Sequence, residues 1–181
     1  MNLKKNWIEF IYNISRGTRK VRTLLTPIGV LIFGIFTSLF VIVAILVDNI
    51  LNLPTLSSEI WIKALAIVLC VIGLFFVFWS VIHFLKVKGT PVPINPPPIL
   101  VCTGPYAYSR NPMLTGVFIL LFGIGLFLGS FSLIFIFIPL YILANYWELK
   151  LIEEPELQKR LGKDYSIYKE KTPMFFPKIN K

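Results

Sequence analysis

Long apolar runs alternate along the chain with short charged segments. Pro27 to Val47 is uncharged, and Ile60 to Leu85 carries only Lys63 near one end. At a helical rise of ~1.5 Å per residue, each run is long enough to cross the ~30 Å hydrocarbon core of a bilayer. The pattern therefore predicts two membrane-spanning helices, at 27–47 and 60–85.

The third apolar run, Met113 to Tyr146, is uncharged throughout. As one helix it would be about 50 Å long, which is too long for a single crossing. Gly129-Ser130 interrupts it near the middle, so we expect two short helices in a tight hairpin, at 113–128 and 131–147. Each is slightly short for a full span, and tilting or local thinning of the bilayer would accommodate it. The predicted fold class is an all-α integral membrane protein with about four transmembrane helices.

Composition and charge support this placement and orient it. The 181 residues are 56% hydrophobic, whereas soluble domains have roughly 45–50%, so we expect a single membrane domain. Of the 18 lysines and arginines, only Lys63 lies outside the three segments that four spans place on one side. The positive-inside rule therefore makes the basic segment 1–26, the loop 86–112 and the tail 148–181 cytoplasmic, together with both termini. This topology explains the net charge of +9 without nucleic acid. In a prokaryote the membrane would be the cell inner membrane.

The segment after the last span predicts amphipathic helices. Apolar residues recur every three to five positions between Glu148 and Lys171, which is a helical period. Pro155 suits the first turn of a new helix. Tyr146 and Trp147 stand where an interfacial aromatic belt is expected. We therefore expect cytoplasmic helices within 148–181.

The loop between the second and third spans is the most specific candidate site. It reads NPPPILVCTGPYAYSRNPM, residues 95–113, and holds five prolines. Gly104-Pro105 predicts a turn, and Asn111 and Pro112 predict the N-cap and first residue of the next helix. Free helix N–H groups beside Arg110 would form a polar site at the membrane surface. An ordered connector whose arginine reaches the headgroups fits these properties equally well.

Other constellations favour structure over chemistry. Gly125 and Gly129 predict close packing of two helices. His83 is the single histidine, so a His-rich metal cluster is not expected, and we predict no metal site. Glu153-Glu154 is either a solvated helix end or a site for a cationic ligand.

Two ordered segments resemble a known family. GPYAYSRNPMLTG, residues 104–116, and EEPELQKRLGKDYSIYKEKTPMFFP, residues 153–177, follow the motifs G-x-Y-x-x-x-R-[HN]-P-x-Y-x-G and E-E-x-x-L-x-x-x-x-G-x-x-Y-x-x-Y. Over residues 86–177 the chain resembles the isoprenylcysteine carboxyl methyltransferases and the related phospholipid methyltransferases. The resemblance implies transfer of a methyl group from S-adenosylmethionine to a lipid-borne or membrane-embedded acceptor, which is a carboxylate, an amine or a thiol.

The resemblance also assigns roles by position. The residues that would bind the cofactor are Pro98, Ile99, Leu100, Val101, Tyr106, Asn111, Pro112, Met113, Leu114 and Glu153. Arg110 is the candidate catalytic residue, Lys150 is the candidate for substrate binding, and Glu154 is expected to face solvent. Leu114 stands where the family motif has a tyrosine. Leu149 stands where the family places an arginine that meets the substrate, which leaves the acceptor open.

Two other function classes stay open. Membrane sterol and enone reductases have a similar carboxyl-terminal architecture and use NADPH, but this chain is short for them and Arg110 has no companion arginines to hold a 2′-phosphate. A non-enzymatic scaffold or assembly factor would explain the spans but not the combination of Tyr106, Arg110 and Glu153. An obvious general base is not required, because methyl transfer from a sulfonium depends mainly on alignment of donor and acceptor.

Overall fold

The computed structural model describes residues 3–15, 17–56, 59–90, 92 and 95–176. All regular structure within them is helical. The α-helices are α1 (Leu3–Ser15), α2 (Arg19–Ile50), α3 (Ile60–Lys86), α4 (Pro112–Leu128), α5 (Ile138–Glu148), α6 (Glu154–Leu161) and α7 (Lys163–Lys171). A 3₁₀ turn covers Gly104–Ala107, and π-helical turns cover Leu133–Phe137 and Leu149–Glu153. The described part of the chain is therefore all-α, as the apolar pattern predicts.

Three helices in the described part are long and apolar enough to cross a membrane. They are Lys20–Ile50, Ile60–Lys86 and Leu133–Leu161. α4 is apolar but shorter, with 17 residues, so the four-span arrangement stays a prediction. The uncharged part of the third long helix ends at Trp147, and residues from Glu148 onward lie beyond its apolar span.

α2 begins at Arg19, well before the predicted start of the first span. Pro27 lies inside this helix although it cannot donate a backbone hydrogen bond. The Thr26 hydroxyl donates to the carbonyl of Arg22 at 2.9 Å, and such side-chain bonds help membrane helices to accommodate proline. The basic residues next to Pro27 thus form the first turns of α2 and not a separate segment.

Glycines allow α3 and α4 to pack closely. A β-carbon on Gly73 would lie 2.7 Å from the carbonyl oxygen of Gly116 in α4. A β-carbon on Gly123 would lie 2.8 Å from the carbonyl oxygen of Ala66 in α3. The predicted close packing of two helices is found at Gly125, against the helix after the break, but not at Gly129. A β-carbon on Gly125 would lie 2.7 Å from Ile134, in the π turn Leu133–Phe137. Gly129 takes the left-handed conformation (φ 65°) that ends α4. Only a residue without a β-carbon adopts that conformation readily.

α2 holds the break between α4 and the helix that follows. The backbone N–H of Ser132 donates to the Asp48 carboxylate at 2.8 Å, and the Ser130 hydroxyl donates to its other oxygen. The N–H of Leu56 donates to the carbonyl of Gly129 at 3.0 Å. Asp48 therefore caps the start of the next helix from outside it, where a negative charge is also favoured by the helix dipole.

Two π-helical turns widen the helix that follows the break. Leu133–Phe137 ends two residues before Pro139, and Leu149–Glu153 ends two residues before Pro155. Proline lacks an N–H and clashes with the carbonyl four residues earlier, and a wider turn relieves that clash. Pro155 lies in the first turn of α6, as predicted, but the backbone continues into α6 without a break. Gly162 (φ 60°) then separates α6 from α7, so the predicted amphipathic tail is interrupted there.

Candidate active site

A cavity lies where α1, the proline-rich loop, the second π turn, α6 and α7 meet. Its apolar and aromatic lining includes Ile11, Ile99, Leu100, Val101, Leu149, Tyr106, Tyr165 and Tyr168. Its charged lining consists of Arg110, Glu148, Glu153, Glu154, Glu156 and Arg160. The cavity thus combines a mostly apolar wall with more carboxylates than cations.

The second π turn places two of these acids on the same side of the helix. Glu148 and Glu153 are five residues apart, and the N–H groups of a π turn bond to carbonyls five residues earlier, so such residues lie one above the other. In an α-helix they would diverge by about 140° around the axis. Both line the cavity. The widened turn before Pro155 therefore brings both carboxyl groups to the same cavity.

The other two acids of the cavity are paired with cations. Arg110 Nη1 lies 2.5 Å from Glu154 Oε1, and Arg160 Nε donates to Glu156 Oε1 at 2.9 Å. Lys169 also contacts Glu154, with Nζ 2.5 Å from Oε2. Glu154 is 6% exposed, so the prediction that it faces solvent is wrong. The two cations compensate the charge of the buried carboxylate.

Glu148 and Glu153 form no ion pair with any residue in the described part of the chain. Burial, followed by repulsion from the Glu148 carboxylate, raises the pKa of Glu153 to about 8. Burial also raises the pKa of Glu148. A cation bound beside the two groups would favour their ionised forms. The pair is therefore suited to a positively charged ligand group.

The 3₁₀ turn of the loop is fixed by the tail of the chain. The Tyr106 ring packs edge-on against Phe84, with ring centroids 4.7 Å apart. The Tyr168 hydroxyl of α7 donates to the Tyr106 carbonyl at 2.7 Å. Burial raises the pKa of both tyrosines, so both hydroxyls stay protonated. The loop and α7 thereby hold one wall of the cavity as a unit.

The segment after α7 runs along the end of the loop. The backbone N–H groups of Arg110 and Asn111 donate to the carbonyls of Pro173 and Met174 at 2.9 and 3.1 Å. Asn111 occupies the N-cap position of α4, but its side chain makes no cap bond. The N-cap position of Asn111 and the first helical position of Pro112 are thus confirmed, but the Asn111 amide donates to the carbonyl of Met174 at 3.3 Å. The segment after α7 therefore occupies part of the polar site predicted beside Arg110.

A family model described as phospholipid methyltransferase matches residues 61–164. The matched region is more than half of the chain and includes the loop, α4 and the acids of the second π turn. The chain belongs to the phospholipid methyltransferase family. This confirms the family resemblance of the two motifs and, with the three long apolar helices, makes the protein a membrane methyltransferase. Searches of curated proteins and of solved structures found no match.

The cavity of this phospholipid methyltransferase contains some of the predicted site residues and leaves others outside. Those that line it are Ile99, Leu100, Val101, Tyr106, Arg110, Asn111 and Glu153. Those outside its lining are Pro98, Pro112, Met113, Leu114 and Lys150. Pro98 is exposed, whereas Leu114 belongs to the core between the helices. Lys150 is exposed and donates to the Tyr146 hydroxyl at 2.9 Å, so it faces the surface.

Most residues of the cavity were not predicted from the sequence, and three of them show why. Glu148 could have been found from its spacing of five residues to Glu153, which lies two residues before Pro155, a proline that favours a wide turn. Ile11 lies in the cavity wall because α1 packs against α6, and the only signal for it is the apolar pattern of the first helix. Arg160 lines the cavity through its pairing in α6, and nothing in the motifs singled it out.

Proposed function

We propose that the cavity binds S-adenosylmethionine and that the protein transfers its methyl group to a lipid-borne or membrane-embedded acceptor at the cytoplasmic face. The observation that carries the proposal is the pair of cavity acids, Glu148 and Glu153, which have no ion pair within the described residues. S-adenosylmethionine has a sulfonium and an ammonium group, and the two carboxylates would hold this positive charge. Membership of a methyltransferase family supports the same ligand.

The rest of the cavity fits this ligand. Ile99, Leu100 and Val101 offer an apolar surface for the adenine ring. Tyr106 is 4% exposed and forms a rigid aromatic wall. Arg110 Nε is buried and has no hydrogen-bond partner in the described structure. It leaves one donor for a carboxylate or hydroxyl oxygen of the ligand.

When bound, S-adenosylmethionine supplies an electrophilic methyl group, which carries the difficult chemistry. The chain has to align donor and acceptor and to exclude water from the reacting atoms. Glu153 orients the positive end of the ligand, while Tyr106 and Leu149 limit its position. Leu149 is 2% exposed and lines the cavity, so an apolar surface stands where the family resemblance placed an arginine. A carboxylate acceptor would lack that cationic contact.

The proposal is tested by calorimetry on the protein purified in detergent, with S-adenosylmethionine, S-adenosylhomocysteine and NADPH as ligands. We expect the first two to bind and NADPH not to bind. NADPH would bring further negative charge to a cavity whose arginines already pair with Glu154 and Glu156. Binding of NADPH alone would contradict the proposal and favour the membrane reductases. Binding of none of the three would favour a non-enzymatic role.

A further inference from the structure

We propose that α1 is an interfacial helix that binds the surface of an anionic lipid bilayer with one side and closes the cavity with the other. The identity of the cavity ligand rests on the function proposed above, but the lipid contact does not. The family match begins at residue 61, so α1 lies outside the region shared with the family. The inference depends only on contacts and exposed surfaces of this chain.

The inward side of α1 forms part of the cavity wall. Ile11 is 6% exposed and lines the cavity. Glu9 and Lys159 of α6 form an ion pair at 2.6 Å, and the Lys159 ammonium lies 4.0 Å from the centroid of the Tyr12 ring. The side chains of this ion pair are 46% and 38% exposed, and exposed pairs contribute little stability. The contacts with α6 therefore place α1 over the cavity but hold it weakly.

The outward side of α1 exposes two large aromatic residues. Trp7 and Phe10 are each 51% exposed, and their rings stack with centroids 5.4 Å apart. Residues three apart lie on the same face of a helix. Trp7 lies one turn before Ile11 on the helix surface, and Phe10 lies about 100° further round the axis. The apolar surface of α1 therefore extends from Ile11 at the cavity wall to the exposed rings of Trp7 and Phe10. Aromatic residues on one side of a short helix, with basic residues nearby, are typical of helices that lie in the membrane interface.

The arrangement of the chain indicates a bilayer as the occupant of this outward side. α1 is joined through only three residues to α2, which is long and apolar enough to span a membrane. The start of α2 exposes Val21 and Leu24, at 50% and 75%, so the apolar surface continues from one helix to the other. The sequence before Pro27 contains six basic residues and a single acidic one, which attracts anionic headgroups. The continuity and the charge together favour an anionic lipid surface.

Lipid contact and ligand binding should then be coupled. If α1 covers the cavity only while lipid holds it, only the molecules with α1 in place bind S-adenosylmethionine tightly. The apparent affinity then falls in proportion to the fraction of molecules in which α1 covers the cavity. Removing the aromatic contact would lower that affinity without changing any residue of the cavity. Trp7 and Phe10 do not line the cavity, so they suit this test.

The first measurement is the dissociation constant of S-adenosylmethionine for the full chain in lipid nanodiscs, either phosphatidylcholine alone or with added phosphatidylglycerol. We expect about three- to tenfold tighter binding in the anionic discs, and loss of this difference in the double variant Trp7→Ala/Phe10→Ala. The matched control is Asn6→Ala/Asn13→Ala, two exposed polar positions of the same helix, which should keep the difference. If the aromatic variant also keeps it, anionic lipid acts only by concentrating a cationic ligand, and the proposed closure is wrong.

The second measurement reads the lipid contact without any ligand. The tryptophan fluorescence of Trp7 is the difference between the parent and the variant Trp7→Phe. We expect brominated lipids in the nanodiscs to quench this difference. Absence of quenching at Trp7 would overturn the lipid contact and indicate a protein partner for this side of α1. If the parent binds no S-adenosylmethionine while Trp7 is quenched, the proposed function fails and the interfacial placement of α1 stands.

Discussion

Glu153→Gln should weaken S-adenosylmethionine binding by about 30- to 1000-fold, equivalent to about 2–4 kcal/mol. The substitution removes the carboxylate that would pair with the positive charge of the bound ligand. Glu153 lines the cavity next to Glu148 and forms no ion pair among the described residues, although the more distant Arg160 guanidinium partly offsets the rise in its pKa. Calorimetry on the parent and the variant measures the change. The control is Glu170→Gln, an exposed acid of α7, which should bind like the parent. Similar affinities for all three proteins would exclude Glu153 from the ligand site.

The same substitution should make the ligand-free protein more stable at alkaline pH. The pKa of Glu153 is raised from 4.5 to about 8 by burial and by Glu148, so the folded state retains a proton that the unfolded state has lost. The contribution of Glu153 to stability is therefore fully present below pH 4.5 and is lost as the pH rises through about 8. Glutamine removes this dependence. The difference in melting temperature between variant and parent should be larger at pH 9 than at pH 5, and an equal difference would contradict the assigned pKa.

Arg110→Ala should lower the free energy of unfolding by about 3–5 kcal/mol, because it leaves a buried carboxylate without its main partner. The side chains of Arg110 and Glu154 are only 10% and 7% exposed, and their atoms lie 2.5 Å apart. Arg110 also donates to the Tyr165 hydroxyl at 3.3 Å. This residue therefore joins the loop to α6 and α7, in addition to any contact with a ligand. Unfolding in detergent, followed by circular dichroism, measures the loss.

Lys169→Ala is the matched control for this prediction. Lys169 contacts the other oxygen of the same carboxylate, Glu154, but its side chain is 46% exposed. Its removal should cost at most about 1 kcal/mol. The double variant Arg110→Met/Glu154→Met should recover much of the stability lost in Arg110→Ala, since a buried ion pair is often replaced by apolar residues at little cost. Equal effects of Arg110→Ala and Lys169→Ala would show that burial does not distinguish the two pairs.

The apolar pattern predicted the long helices because a bilayer requires about 20 consecutive apolar residues. The break at Gly129-Ser130 was also predicted correctly, because glycine has no side chain and permits the left-handed turn found there. The apolar pattern missed the early start of α2 because the predicted span followed only the uncharged run, whereas the helix continues through the basic residues before Pro27. The close contact between α3 and α4 was not predicted from the sequence. Both Gly116 and Gly125 are small, and only the packing of Gly73 against α4 decides which one forms the contact.

The cavity was harder to predict than the helices, because residues from both ends of the chain form it. The motifs indicated Tyr106, Arg110 and Glu153, which lie on the loop and the π turn. Glu148 was missed because a regular α-helix would turn it away from Glu153, and the π turn that aligns them follows from the position of Pro155. Ile11 was missed because its place in the cavity depends on how α1 packs against α6, which no local pattern records.

The most direct test of the central claim is methyl transfer itself. The full chain in nanodiscs of mixed phospholipids would be incubated with S-adenosylmethionine carrying a labelled methyl group, and the label would be measured in the extracted lipid fraction. Purified lipids or small lipid-like carboxylates, amines and thiols would then be supplied as acceptors. We expect label in an acceptor with the parent protein and a loss of at least about tenfold with Glu153→Gln. Absence of label from every acceptor, or equal label with parent and variant, would contradict the assignment of this cavity as the methyltransferase site.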